Sequence, residues 1–532
     1  MLPGEIRTQQ LVVRAGGVCY WAPVPSSARL ALIPVGFAAV VYSPVLRNYF
    51  WADDFLHLYQ IVNTGWREFV LTPHGGHIYL VRNTIFYLLH HAFDLDPQPY
   101  FACVLATHLV NVAFLFRLIR GLTGSSEVAC FGATLWGVCP VNEGSLGWYS
   151  LHGHLLVGTV WLWVMSDLVS LIAAGRTISS RRILGWYLLL VAGITCFGIG
   201  IALAMVFPLV VFVLLPPGTE RRRLTRWFAP LVVVAPAMLA GFTALYQRLT
   251  GSSAGAPALV QHLSHWHAVT AMFGTLLVFG TGSVAIPYGF GTGIRLGADG
   301  WRTLRTLGLQ DYVVTAVCAG GVLVVLVRSA RAVKRRLLVF VASAVATYGI
   351  IAAGRGPFYE IINASIEWEA STPRYHYVGT AVIAVVFCLL LSELGTAVAL
   401  RPWLRRAALS GWLASMVALY LTVAPPLSHH DQARRDVQAV QQRIAAIIAR
   451  RPSGQPVFLI NEPFPAIDWD PNFEFPGCAG IFMLTYPTNV VDGHSVYFVE
   501  PNPAALAAAR RRPRSRVATL LIGPQDLPKT SP

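Results

Sequence analysis

Between Arg29 and Pro425 the chain returns repeatedly to apolar runs of about 20 residues, each long enough as a helix to cross a hydrocarbon core about 30 Å thick. In lipid a backbone must satisfy its own polar groups, so such runs form helices. Only 12% of the 532 residues are charged, against roughly 25% in soluble domains. That balance excludes a water-soluble fold and predicts an all-α polytopic membrane protein.

The formal charge of +15 does not point to nucleic acid, because the basic residues sit in short clusters between apolar runs rather than along one soluble face. They read instead as topology determinants, since cytoplasmic loops carry the excess of Lys and Arg. The inside segments are the N-terminus with Arg7, Arg14 and Arg29; Arg117 and Arg120; Arg176, Arg181 and Arg182; Arg221 to Arg223 with Arg226; Arg328 to Arg336; and Arg401, Arg405 and Arg406. Spans are then expected at 30–48, 98–118, 126–142, 154–174, 183–198, 201–216, 227–247, 310–327, 337–353, 377–398 and 408–424, about eleven crossings by the charge rule.

This arrangement puts the N-terminus in the cytoplasm and the C-terminus outside. Two further apolar stretches would invert the later loops if counted. Tyr79 to Phe93, broken by Arg82, Asn83, His90 and His91, is expected to lie in the interface with its polar face wet. Ala268 to Phe290, rich in Gly and holding Pro287, is expected to be re-entrant or superficial. The first 28 residues contain no sustained apolar core before a cleavage site, so the first span is expected to be retained. Basic residues are almost all Arg, Lys334 and Lys529 excepted, a bias of GC-rich bacterial genomes; for such a source the expected location of a multi-pass chain is the inner (plasma) membrane.

The expected organisation is a cytoplasmic segment (1–28), a membrane domain (29–426) with a first external loop at 49–97, and an extracytoplasmic α/β domain (427–532). In the last part, Asp431 to Arg450 carries helical apolar spacing, while VFLI (457–460), SVYFV (495–499) and ATLLI (518–522) read as strands. Cys103, Cys130, Cys139, Cys196, Cys318 and Cys388 lie in apolar runs as small hydrophobes, and no CxxC pair suggests zinc.

The polar residues of the outer segments form a constellation. YFWADDFLHLY (49–59) sets Asp53 and Asp54 just past the first span, inside an aromatic belt of Tyr49, Phe50, Trp51 and Phe55. PHGGHIYLVRN (73–83) adds His74, His77 and Arg82, groups able to shuttle a proton, bind metal or pair a phosphate. CPVNEGSLGWYSLHGH (139–154) brings Glu143 and Trp148. GRGPFYEIINASIEWEASTPRYHY (354–377) brings Arg355, Glu360, Glu367, Glu369, Arg374, Tyr375 and His376. Arginine on the outer face, against the general trend, suits an anionic leaving group.

These motifs resemble GT-C glycosyltransferases. The nearest groups are the polyprenyl-phosphate-mannose protein mannosyltransferase-like proteins (glycosyltransferase family 39-like) and the transmembrane mannosyltransferases with tetratricopeptide tails. There a DD or DE pair opens the first external loop, followed by an H-x-PL-x-R-like stretch, an L-H-L-x-N helix and P-x-x-x-E-x-x-x-W in the second loop. Asp53 and Asp54, His77 with Arg82, His108 with Asn111, and Glu143 with Trp148 stand at those positions, and the match covers roughly the first 220 residues. Two departures stand out: CFGIGIALAM (196–205) replaces the family's Lys-Glu turn, and Tyr79, Leu80 and Val81 replace its PL.

The resemblance implies transfer of a sugar from a polyprenyl-phosphate donor to an extracytoplasmic acceptor, with inversion. Asp53 would be the general base, and Asp54 would orient the acceptor or a divalent cation. Glu143 would line the pocket, and His77, Arg82, Trp148, Arg374 and Tyr375 would contact substrate. A transporter or flippase of lipid-linked glycans is the alternative from another class, although acids at loop edges and the lack of a repeat fit it less well. A polymerase or ligase of such glycans shares the donor and stays open.

Overall fold

The computed structural model describes residues 14–15, 18–19, 29–51, 53–73, 77–250, 265–286, 307–397, 402–423, 428–450, 457–461, 478–485, 490–491 and 493–499. Helix dominates, as the apolar runs require. Seven stretches among the described residues are long and apolar enough to cross a membrane: Arg29–Arg47, Pro97–Thr123, Tyr149–Ala173, Thr219–Leu245, Trp266–Ala285, Leu309–Arg328 and Arg331–Ile361. Ile199–Leu214 and Tyr377–Glu393 are shorter apolar helices. The chain is thus a multi-pass membrane protein.

The first part runs through α1 (Leu32–Tyr42), α2 (Asp53–Asn63), α3 (Trp66–Leu71), α4 (Leu80–Phe93), α5 (Pro97–Thr123), α6 (Ser126–Gly137), α7 (Glu143–Leu146), α8 (His152–Ala173), α9 (Ser180–Ile194) and α10 (Ile199–Leu214). The boundaries follow local chemistry. Asp96 caps α5 by accepting from the Gln98 amide at 3.1 Å, Pro97 fills the first turn, and Gly124 at φ 69° closes its far end. Ser125 then caps α6 through the Val128 amide.

Next come α11 (Thr219–Phe228), α12 (Leu231–Thr250), α13 (Trp266–Ala285), α14 (Leu309–Arg328), α15 (Arg331–Ile361), α16 (Ile366–Ala370), α17 (Tyr377–Ala397) and α18 (Pro402–Val423). Helix α5 packs on α6 and α8, α15 packs on α10 and α13, and α17 closes the bundle against α6 and α15. Across that seam His108 pairs with the Tyr377 hydroxyl (2.9 Å) and the Gly137 carbonyl (2.9 Å), while Asn111 donates to Leu155 O and Tyr377 Oη. Those two polar residues therefore brace three helices inside the core.

Two expectations change here. The stretch from Ala268, read as re-entrant or superficial, lies in a continuous 20-residue helix through Ala285, which packs along α15 with Gly280 set against Tyr348. The stretch from Tyr79 to Phe93, read as interfacial with a wet polar face, becomes α4, whose first turn faces inward while His91 at its far end stays exposed. Arg82 and Asn83 are buried, Asn83 donating to the Phe69 carbonyl at 3.0 Å, so tertiary partners replace water.

After α19 (Ser428–Ala449) and α20 (Cys478–Thr485), the strands β3 (Val457–Ile460), β4 (Val490–Val491) and β5 (His494–Val499) form a sheet of order β3-β5-β4, with β3 parallel to β5 and β4 antiparallel to it. The other strand read from sequence, 518–522, lies outside the described residues. Two-residue strands β1 and β2, at Arg14–Ala15 and Val18–Cys19, pair near the N-terminus; here numbering of the later strands continues from them. Helix α20 buries Ile481 and Phe482 and packs on α2, so the C-terminal elements cover the helix that begins at Asp53.

Candidate active site

Helix α2 begins with the two acids, where a helix N-terminus favours negative charge. Their surroundings differ. Asp54 is fully buried, its Oδ1 accepting from the Ser150 amide (2.6 Å) and hydroxyl (2.5 Å) and its Oδ2 from the Trp51 amide (3.1 Å). Burial pushes its carboxyl up to about 7, against the opposing pull of those hydrogen bonds. Asp53 is partly exposed and lies within electrostatic reach of Tyr79 and Arg82.

Arg82 is fully buried beside them. Its Nη2 donates to His57 Nε2 at 3.1 Å and its guanidinium sits 4.0 Å from the centre of the Tyr79 ring. Nε and Nη1 have no hydrogen-bond partner. Buried guanidinium donors without partners are costly, so this is where a ligand oxygen would be stabilised. Burial lowers the pKa of Arg82 while Tyr79, Tyr149, Asp54 and Asp53 oppose that shift. Burial likewise pushes the Tyr79 phenol up to about 12.

His77 is stacked on Phe197 with ring centres 4.4 Å apart and meets the Tyr79 ring edge-on. A Cβ on Gly198 would lie 2.5 Å from its Nδ1, so the 196–200 turn, where the resemblance implied Lys-Glu, accommodates an imidazole. His74 lies outside the described residues.

The second loop meets the Pro373–Tyr375 turn. A Cβ on Gly144 would fall 2.5 Å from Pro373 Cβ and 2.7 Å from Arg374 N, and Ser145 Oγ donates to the Arg374 carbonyl at 3.4 Å. Only glycine permits that approach. Glu143, partly exposed, opens α7, and Trp148 lies 5.8 Å from the Arg374 guanidinium. Arg374 Nη2 donates to Tyr359 Oη (3.1 Å), Tyr375 Oη (3.3 Å) and Glu369 Oε2 (3.4 Å), and the two phenols hydrogen-bond each other. Arg355 lies within electrostatic reach of Arg374, Tyr359, Tyr375 and Tyr79. Burial alone would raise the Tyr375 phenol, but Arg374 and Arg355 outweigh it and hold the phenol below its ordinary value. The local potential is thus positive.

The structure therefore brings Asp53, Asp54, Arg82 and Tyr79 together, and Glu143, Trp148, Arg374 and Tyr375 together, with Arg355 in electrostatic reach of Tyr79 and Arg374. Sequence reasoning named Arg355 in its loop without assigning it a role, and it gave none to Tyr79 or Tyr359. A charged residue inside the long apolar run of α15 was the available signal. Asp54 engages both oxygens with Ser150 and Trp51, and among the described residues no three His, Cys, Asp or Glu side chains are grouped to hold a metal.

No protein-family model matches the chain, and no curated protein matches it in sequence. Among solved structures, the oligosaccharyltransferase of Archaeoglobus fulgidus, tethered with an acceptor peptide, is similar at a TM-score of 0.43 and 11% identity, over 81% of this chain and 62% of that one. This chain thus spans less than two thirds of its length. ArnT from Cupriavidus metallidurans, bound to undecaprenyl phosphate, is similar at a TM-score of 0.44 and 15% identity, over 94% of this chain and 89% of that one. Both likenesses are too distant to transfer a site, and the functional reading rests on the side chains.

Proposed function

We propose that this protein transfers a sugar from a polyprenyl-phosphate donor to a hydroxyl acceptor at the extracytoplasmic membrane face, with inversion at the anomeric carbon. The observation that supports it most is one partly exposed carboxylate, Asp53, within electrostatic reach of the buried Arg82, which holds two donors without partners. Asp53 takes the acceptor proton as general base. The acceptor oxygen attacks the anomeric carbon, the bond to phosphate breaks, and Arg374, Arg355 and Arg82 stabilise the departing phosphate.

Asp54 is a positioning residue, tying the start of α2 to Ser150. Glu143 and Trp148 line the pocket beside Arg374, and Tyr375 orients Arg374. His77 bounds the pocket at the 196–200 turn. No step is routed through a metal.

The test uses the full chain in membranes with labelled polyprenyl-phosphate sugars. Asp53→Asn is expected to lower turnover by roughly 10²–10⁴-fold. Turnover at the unmodified level in that variant would remove the general-base assignment. Lipid translocation without sugar release by the unmodified protein would favour a flippase.

A further inference from the structure

One buried polar group beside the arginines has no role in the scheme above. His154, in the first turn of α8, is 1% exposed, and neither ring nitrogen has a hydrogen-bond partner. Its ring lies against Phe197 with centres 3.8 Å apart, and it is within electrostatic reach of both Arg374 and Arg355. Other buried histidines have at least one partner: His108 through both nitrogens, His57 by Arg82, and His152 by Thr107 through Nε2 alone. Leaving two imidazole nitrogens buried and unmatched costs free energy that a bound group would recover.

The chemistry of the ring limits what that group is. A guanidinium only donates and a phosphodiester oxygen only accepts, so the arginines suffice for phosphate. A neutral imidazole offers one donor and one acceptor, and its complement is a group that both accepts and donates. A sugar hydroxyl does both. One lying next to the anomeric carbon is held close to the phosphate and therefore close to the arginines.

We infer that His154 is a specificity-determining contact that binds a hydroxyl of the donor sugar while Arg355 and Arg374 hold its phosphate. The inference rests on the glycosyl-transfer reading and adds to it a residue that distinguishes a glycosylated lipid phosphate from the bare one.

The experiment measures binding to the full chain in lipid nanodiscs of undecaprenyl phosphate and of undecaprenyl-phosphate mannose, glucose and galactose. The unmodified protein is expected to bind at least one glycosylated lipid about tenfold tighter than the bare one. His154→Phe is expected to abolish that preference while changing affinity for bare undecaprenyl phosphate less than about twofold, and His154→Asn, which keeps a donor and an acceptor, to restore part of it.

A preference retained in His154→Phe overturns the inference and leaves the glycosyl-transfer reading standing. So does an unmodified protein that binds bare and glycosylated lipids alike, or an equal loss for both in His154→Phe and His154→Asn, which marks a structural role. An unmodified protein that binds none of the four lipids removes the reading and the inference together.

Discussion

Arginines gather at both ends of the helical bundle, but the two groups are partnered differently. At one end Arg117 and Arg182 meet Asp167, Arg406 meets Glu127, Arg223 donates to Glu220 and the Ile178 carbonyl, and Arg336 donates to the Leu122 carbonyl. Most of these are half-exposed pairs at helix ends, matching the basic clusters of the sequence. At the other end Arg82 is buried with two free donors, and Arg374 shares its one carboxylate with two phenols. The first group is mostly paired with carboxylates or carbonyls and anchors helix termini. The second holds positive potential that the protein itself does not fully satisfy, and such an excess is what an anionic ligand would complete.

Removing charge from each end tests this contrast most directly. After Asp53→Asn, the largest effect is expected from Arg374→Gln, which should lower kcat/KM for a polyprenyl-phosphate sugar by roughly 10²–10³-fold. Arg82→Lys retains the charge but loses the planar fork, so a loss of roughly tenfold or more is expected in the same assay. Unchanged activity in both Arg374→Gln and Arg82→Lys would erase the distinction between the ends.

Much of this contrast was legible in the sequence, because hydropathy, Arg clusters and acids near span ends are local signals. The helical, multi-pass character, the two acids and Arg374 were each visible from neighbouring residues alone, whereas the helix Trp266–Ala285 was not. What stayed hidden depends on contacts distant in sequence. Ser150 lies 96 residues from Asp54, and only that contact separates a buried acid from the more accessible Asp53. Arg82 read as interfacial because its wrapping by His57 and Tyr79 has no periodic signature. His77 and Arg82 meet across the Tyr79 ring, a contact invisible to a motif, while their further neighbours diverge to Phe197 and His57.

The division between the acids gives a smaller, pH-dependent effect. Burial holds the Asp54 carboxyl at about 7 in the folded state, above its ordinary 3.8. The folded protein thus binds this proton more tightly than the unfolded chain, so its contribution to stability is full below about pH 4 and is lost as pH rises through about 7. Asp54→Asn keeps an acceptor for the Ser150 donors but cannot ionise. Thermal melts from pH 5 to pH 8 should therefore show the variant gaining, relative to the unmodified protein, as pH rises. A constant difference across that range would mean that Asp54 does not titrate there.

The smallest effect belongs to the end whose arginines are mostly paired. Arg406 is 66% exposed in its pair with Glu127, 39% exposed, and surface pairs of that kind contribute about 0–1 kcal/mol because solvent screens them and ordering two long side chains opposes them. Arg406→Gln should leave sugar transfer within about twofold of the unmodified protein, and it should change the melting temperature little at low salt and still less at high salt. The informative result is its ratio to Arg374→Gln. Both substitutions delete one guanidinium, so bulk charge alone predicts equal losses, whereas an incompletely satisfied pocket at one end predicts a loss in the second and almost none in the first.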